Sequence, residues 1–506
     1  MFNKERYISG TTCPKKAWME TNRPELFTTE VADSKNDGLA QAFQYADEYY
    51  KDSFGSYKRV ASSDVLEATS ETQKLIQEGE QNIKDAIFIH NGAFCRFSFL
   101  RNIGDSHVEV YMTKLKNSVY NSKSETLKKE YKKEAEYNLC ILEQCGYTVD
   151  KVAYVVFDSL YIKNGEIDAP HLFKVVDVTK QVISDNSAVG CKILEIQNVL
   201  KLKEEPFEAI DDSVCQLTSC PYWEYCSSQI PNLPENNIFD IKGNDFSKKA
   251  KLTLYREGRL SYDAALEAAG IFKNGSKVPM VLTNEANRSF YINRAEINAF
   301  LDNVTYPAYF LDFESVEYAL PRYDQSHTYQ KICFQYSLHV ILEEGGEIDH
   351  REYLGKPGED PRRALCEQLC EDIPAGACVI AYHAGFETDR IKEMAEIFPD
   401  LKEHLMSMAD HIVDIEKPFS DKSYYCSGFK GSSSIKVVLP TLFPDDPELD
   451  YHNLQGIHRG DEAAQAFIDM ETMSEEEAAV CSDNLKKYCR LDTLAMVKVL
   501  EALKKL

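Results

Sequence analysis

The stretch Tyr309-Phe310-Leu311-Asp312-Phe313-Glu314-Ser315 constrains this chain more than any other. Two aromatic residues and a leucine make a short buried strand, and the period of two along a strand turns Asp312 and Glu314 to one face. Paired carboxylates at the end of a core strand are costly unless a cation sits between them, and a divalent metal ion is the usual answer. Further polar groups are therefore expected to converge on that strand end.

The pattern that follows alternates strand and helix: a strand over 332–342, a Gly345-Gly346 turn, a strand over 348–354, a helix over 361–370 and a strand over 378–382. Tyr382-His383-Ala384-Gly385-Phe386-Glu387 then opens a helix running to about Phe398, which puts Glu387 at a strand–helix junction in the first turn, where the helix dipole favours an acid. Near the end of the chain, Tyr488 and Asp492 are four residues apart on a long helix whose apolar positions include Leu485, Leu491, Leu494, Val497 and Leu500. That spacing places them on one face.

Together, Asp-x-Glu on a first strand, an acid after Gly-Phe at a strand–helix junction and Tyr-x-x-x-Asp on a last helix resemble the DEDD exonucleases of the tyrosine subtype, across about 200 residues. The resemblance implies an RNase H-like mixed sheet flanked by helices, in which Asp312, Glu314, Glu387 and Asp492 hold two divalent ions, Mg2+ or Mn2+. Asp312 would be shared between the ions and Tyr488 would orient the attacking water. Such a site removes the terminal 3' nucleotide as a 5'-monophosphate. One departure stands out, because the second motif normally offers Asp and here offers Glu387, one methylene longer. His383 stands where an Asn is common near the substrate sugar, and Asp414 is a spare acid on the intervening strand. Ser433-Ser434-Ile435-Lys436 starts a helix whose N-terminus and Lys436 either hold a phosphate or simply form a solvated cap.

Net charge is -25, which argues against a nucleic-acid partner until its distribution is considered. Residues 306–506 carry 20 Lys and Arg against 38 Asp and Glu, while the preceding 305 residues are near balance, at 37 against 44. A two-metal site concentrates carboxylates and recruits its own cations, so acidity there fits it. Lys114, Lys116, Lys123, Lys128, Lys129, Lys132 and Lys133 form a local basic stretch, either a solvated helix face or a surface that tracks phosphates. No apolar run is long enough to cross a membrane, and the first residues lack the apolar core of a signal peptide. A cytoplasmic location is the expectation.

Fifteen cysteines in a reducing compartment point to buried thiols plus a metal or cluster site. Cys13 comes early and alone, and Cys215, Cys220 and Cys226 follow two hundred residues later, with Cys-Pro pairs at both ends. Four thiolates complete either a tetrahedral zinc site or a cubane iron–sulfur cluster. This arrangement resembles the RecB-like nucleases with an iron–sulfur staple, a branch of the PD-(D/E)XK superfamily. The resemblance implies that Cys13, Cys215, Cys220 and Cys226 ligate a 4Fe-4S cluster, with zinc as the alternative. Such a module supplies Asp on one core strand and Glu-x-Lys on the next. Here Ser98 stands at the first position and Tyr111 at the last, leaving Glu109, and Asn138 replaces a helical glutamine. The module is therefore expected to bind rather than cut, unless Lys114 replaces the missing base by a shift of register.

Pro231-Asn232-Leu233-Pro234 marks a boundary. The expected organisation is 1–235 as the nuclease-like module, 236–305 as a helical linker with one helix over 246–270 and another over 294–303, and 306–506 as the exonuclease domain. The pairing in this order resembles a bacterial family that joins an iron–sulfur RecB-like half to a DEDD-like half. The function expected is a 3'–5' exonuclease on DNA or RNA whose N-terminal half binds the strand. The alternative is a non-catalytic nucleic-acid-binding or scaffold protein held together by the cluster, and Glu387 is the feature that favours it.

Overall fold

Three long strands lie within 82–114, buried almost continuously over 82–88 and alternating over 93–99, as a sheet covered on both faces requires, and the rest of the first half packs on them. The computed structural model describes residues 1–27, 38–183, 187–207, 210, 215–243 and 246–506. These divide into two units: 1–27, 38–226 and 318–330 in one, 227–317 and 331–506 in the other.

The first unit opens with helices α1 (Lys4–Thr12) and α2 (Pro14–Asn22). Cys13 Sγ accepts from the backbone N–H of Lys16 at 3.4 Å and so caps α2, which has Pro14 in its first turn. Helix α3 (Leu39–Phe54), the two-residue strand β1 (Lys58–Arg59) and helix α4 (Val65–Gln77), capped by Asp64, lead to the sheet. Its strands are β2 (Asn82–His90), β3 (Ala93–Gly104), β4 (His107–Lys114), β5 (Thr148–Phe157) and β6 (Phe173–Asp177), with α5 (Lys129–Gln144) between β4 and β5. The order is β1-β2-β3-β4-β5-β6. Strands β2, β3 and β4 are antiparallel; β5 runs parallel to β4, as a crossover helix requires. Ile87, Phe97, Val108, Val110 and Val152 pack with Tyr137, Leu139 and Ile141 of α5 and with Ile193 and Ile196 of α6 (Ser187–Leu200) on one face. Tyr50 of α3, Phe99, Tyr111 and Phe157 pack on the other. Segment 318–330 belongs here: Tyr329 Oη donates to Leu115 O at 2.6 Å and Thr328 Oγ1 to Asn117 Oδ1 at 2.6 Å.

In the second unit the single helix expected over 246–270 is instead two, Lys248–Arg256 and Tyr262–Leu266. Gly258, at φ +70°, turns the chain between them, and Ser261 starts the second by accepting from Ala264 N. The helix expected over 294–303 spans Arg294–Leu301. A two-stranded antiparallel ribbon pairs β7 (Phe290–Ile292) with β13 (Tyr424–Cys426).

The main sheet of this unit comprises β8 (Ala308–Glu317), β9 (Lys331–Ile341), β10 (Ile348–Leu354), β11 (Cys378–Ala381) and β12 (Ile412–Asp414). Its order is β10-β9-β8-β11-β12, antiparallel through the first three strands and parallel from β8 onward. Tyr309, Leu311 and Phe313 of β8 pack with Leu365 and Leu369 of α7 (Arg362–Asp372), Ile391 and Met394 of α8 (Gly385–Ile397), and Leu405 and Met408 of α9 (Lys402–Asp410). Alternation sends Asp312 and Glu314 to the opposite face. After α10 (Ile435–Leu442) and α11 (Gly460–Asp469), the chain ends in α12 (Glu475–Lys504), started by a Ser474/Glu477 capping box and packed along β8 and β9. The protein is thus mixed α/β, and among the described residues no helix is long and apolar enough to cross a membrane.

Candidate metal centre

Strand β8 is the central strand of the second sheet, and Asp312 and Glu314 pair in register with Ser337 and Gln335 of β9. A bulge follows at once, between Glu314 and Ser315, where a change of twist can re-aim a side chain. Helix α12 covers this face. Cys489 Sγ lies 3.7 Å from Asp312 Oδ2 and 3.9 Å from the Asp312 carbonyl oxygen. Among the described residues, the one group of three or more side chains whose ligand atoms come within 4.8 Å of one another is Asp312, Glu314 and Cys489.

The other two expected acids border this group. Glu387, in the first turn of α8, is 3 % exposed and its Oε2 has no hydrogen-bond partner. Asp492 lies one turn beyond Tyr488 on α12, and its Oδ1 accepts from Tyr451 Oη at 2.6 Å. Burial, and after it the charges of Asp492, Glu314 and Glu387, hold the Asp312 carboxyl well above its usual range. Burial and then the charge of Asp492 push Glu314 up to about 8, with Lys436 opposing. Burial and then Asp414 push Glu387 to about 8 as well. Asp492 rises only to about 6, because the Tyr451 hydrogen bond and Lys436 offset its burial. Two carboxylates raised by their acidic neighbours, and one buried oxygen with no donor, are the environment a divalent cation relieves.

Lys436 is an exposed residue in the first turn of α10. Its Nζ donates to Tyr488 Oη at 3.1 Å and to the carbonyl of His458 at 2.8 Å, and it lies over the rings of Tyr451 and Tyr488. Asp414, at the end of β12, accepts from the N–H groups of His383 and Glu416, both at 3.0 Å. The His383 ring bonds Glu416 at 2.7 Å, its backbone is left-handed at φ +60°, and that Glu416 hydrogen bond raises its pKa.

Sequence reasoning missed Tyr451 and Cys489. Tyr451 sits in a short 3-10 turn 41 residues from its partner, and nothing in the local sequence marks it. Cys489 carried a usable signal, since it lies three residues before Asp492 and so shares its helix face.

In the first unit, Cys13, Cys215, Cys220 and Cys226 line one small cavity together with Lys15, Lys16, Tyr222 and Trp223. Cys215 Sγ accepts from Leu217 N at 3.3 Å, as Cys13 Sγ does from Lys16 N. Glu109 accepts from Arg101 Nη1 at 2.8 Å and from Tyr111 Oη at 2.9 Å, and Ser98 Oγ accepts from Thr113 N. Lys114 instead meets Glu134 of α5 at 2.7 Å, and Lys4 bonds the same carboxylate. Asn138 donates to Met112 Sδ.

A family model described as a domain of unknown function, DUF2779, matches residues 309–434. That span takes in Asp312, Glu314 and Glu387 and stops short of Lys436, Tyr451, Tyr488 and Asp492. No curated protein and no solved structure matches the chain.

Proposed function

We propose that the second unit is a 3'–5' exonuclease dependent on Mg2+ or Mn2+ and acting on DNA or RNA. The observation that carries this reading is the placing of Asp312 and Glu314 on the central strand of a five-stranded sheet ordered β10-β9-β8-β11-β12, the order of an RNase H-like fold, with Glu387 and Asp492 near enough for their charges to raise the Asp312 carboxyl. The donor set fits a divalent ion, because Glu314 and Glu387 are buried, neighbouring carboxylates raise Asp312 and Glu314, and Glu387 Oε2 has no hydrogen-bond donor. Two ions bound there would supply Lewis-acid stabilisation of the attacking and leaving oxygens of a phosphodiester.

The chain's own side chains do the rest. A lysine ammonium has donors and no acceptor, so Lys436 uses the Tyr488 oxygen as its acceptor and the Tyr488 hydroxyl proton must point elsewhere. Burial, and then the charge of Asp492, keep that phenol protonated. The Asp492 carboxylate accepts that proton, so Tyr488 is held beside the acids in position to orient a water, and exposed Lys436 meets an incoming phosphate.

In this reading the first unit is a PD-(D/E)XK-like module that grips nucleic acid and does not cut. Glu109 is already bonded by Arg101 and Tyr111, and no second acid joins it in a metal-holding group among the described residues. The four cysteines would hold a 4Fe-4S cluster or a zinc ion. Their shared cavity and the N–H donors to two of the sulfurs support ligation. A brown colour with broad visible absorbance selects the cluster, since zinc is colourless.

One observation favours a non-catalytic nucleic-acid-binding or scaffold protein instead: Asp492 is engaged by Tyr451 and stands outside the closest group at Asp312. Degradation of 5'-labelled single-stranded DNA and RNA with Mn2+ or Mg2+ tests the two readings. A ladder shortening from the 3' end, lost in Asp492→Asn and kept in Glu109→Gln, supports the exonuclease. Loss only in Glu109→Gln moves catalysis to the first unit, and binding without cleavage favours the scaffold.

A further inference from the structure

The DEDD resemblance assigns no thiol, yet among the described residues the one close group of metal-ligating side chains contains one. Cys489 is fully buried, and its Sγ points at Asp312, with the side-chain oxygen 3.7 Å away. Zinc–oxygen and zinc–thiolate bonds of about 2.1 and about 2.3 Å meeting near the tetrahedral angle put their two donor atoms about 3.6 Å apart. Glu314 completes the set, all within 4.8 Å. A second observation points to a cation beside this group: Glu387, 3 % exposed, has an oxygen with no hydrogen-bond partner, and its charge reaches both Asp312 and Glu314.

Hard ions such as Mg2+ select oxygen donors only, whereas a thiolate shifts a mixed site toward borderline ions. We propose that Cys489 is a third ligand beside Asp312 and Glu314, and that this end of the acidic group takes a thiophilic divalent cation, Zn2+ being the type ion, in preference to Mg2+. On binding, the metal–sulfur bond forms and the thiol proton passes to solvent. The inference rests on the reading of the acidic group as a metal site. It makes Zn2+ a tight competitor for the ions that support hydrolysis.

Zinc affinity measured by competition with a chromophoric chelator, and the near-ultraviolet sulfur-to-cobalt absorption after Co2+ addition, test it on the full chain with its four-cysteine site as purified. Cys489→Ser, nearly the same size, should lose at least tenfold in Zn2+ affinity at this site and remove part of the cobalt–thiolate band, while Mg2+ affinity stays within about twofold. Cys489→Ala should do the same. Asp312→Asn should remove that same part of the band, and Cys220→Ser should leave it, separating this site from the four cysteines. If the two Cys489 variants match the wild type in band and in zinc affinity while Asp312→Asn weakens Mg2+ or Mn2+, the thiol only packs and the inference fails alone. If Asp312→Asn leaves the affinity for every divalent ion unchanged, the metal-site reading fails with it.

Discussion

The phenol oxygen of Tyr451 lies 2.6 Å from Oδ1 of Asp492, so one oxygen of that carboxylate is already held by a donor. A hydrogen bond of this kind fixes the direction of the remaining lone pairs and holds the acid closer to its ionised state.

Tyr451→Phe should therefore weaken Mn2+ binding at the acidic group about tenfold to hundredfold, read by calorimetric titration. Folding should lose only about 1 kcal/mol, since the ring still packs. An unchanged Mn2+ affinity would make the contact purely structural.

The metal-free protein should become less stable as pH rises. Glu314 and Glu387 are raised from 4.5 to about 8, so within that window the folded chain holds protons that the unfolded chain has released. Stability from these groups is then fully present below about pH 4.5 and is lost as pH climbs through about 8. Urea unfolding in EDTA at pH 5.5 and pH 8 should show the fall, and Mn2+ should restore most of the loss at pH 8 and little at pH 5.5.

Lys436 spans the two ends of the site, bonded to Tyr488 and exposed to solvent. Lys436→Met should lower kcat roughly tenfold to hundredfold without weakening metal binding, since it removes a cation that competes for Glu314 and Asp492, and Lys436→Arg should recover part of the loss. A variant that changes only KM would assign Lys436 to substrate binding and leave Tyr488 to orient itself.

In the first unit, Glu134 has a side chain 5 % exposed and shared by Lys4 and Lys114. The carboxylate outweighs burial for Lys4, which is raised, whereas burial leaves Lys114 lowered. Glu134→Gln removes the charge that both ammonium groups meet, and with Lys4 35 % and Lys114 20 % exposed it should cost roughly 1 to 3 kcal/mol. Lys114→Met should cost less, because Lys4 still meets the acid; urea unfolding of each variant measures both.

Much of the second sheet was legible because each signal was local. The period of two at Asp312 and Glu314, the Gly345-Gly346 turn and the four-residue spacing of Tyr488 and Asp492 each follow from a single element's geometry. The helix over 246–270 was misread because an apolar stripe continues across Gly258, whose left-handed turn redirects the chain. Tyr451 was invisible for the opposite reason: its role arises only when an irregular turn is laid against the terminal helix 41 residues further on, whereas Cys489 could have been found from its place one turn before Asp492. At Glu109 the sequence shows an acid on a strand, and only packing shows Arg101 and Tyr111 already bonded to it.

Segment 318–330 lies in sequence between two strands of the second sheet, yet belongs to the first unit, where Leu320 enters the core beside Tyr49 and Phe157. No single cut can then yield two complete halves. A fragment ending near residue 226 or 235 lacks the donors that Thr328 and Tyr329 give to Asn117 and Leu115, and leaves apolar surface bare. The chain is interleaved rather than modular, so neither half is expected to be exchanged as a cassette, by an experimenter or by recombination.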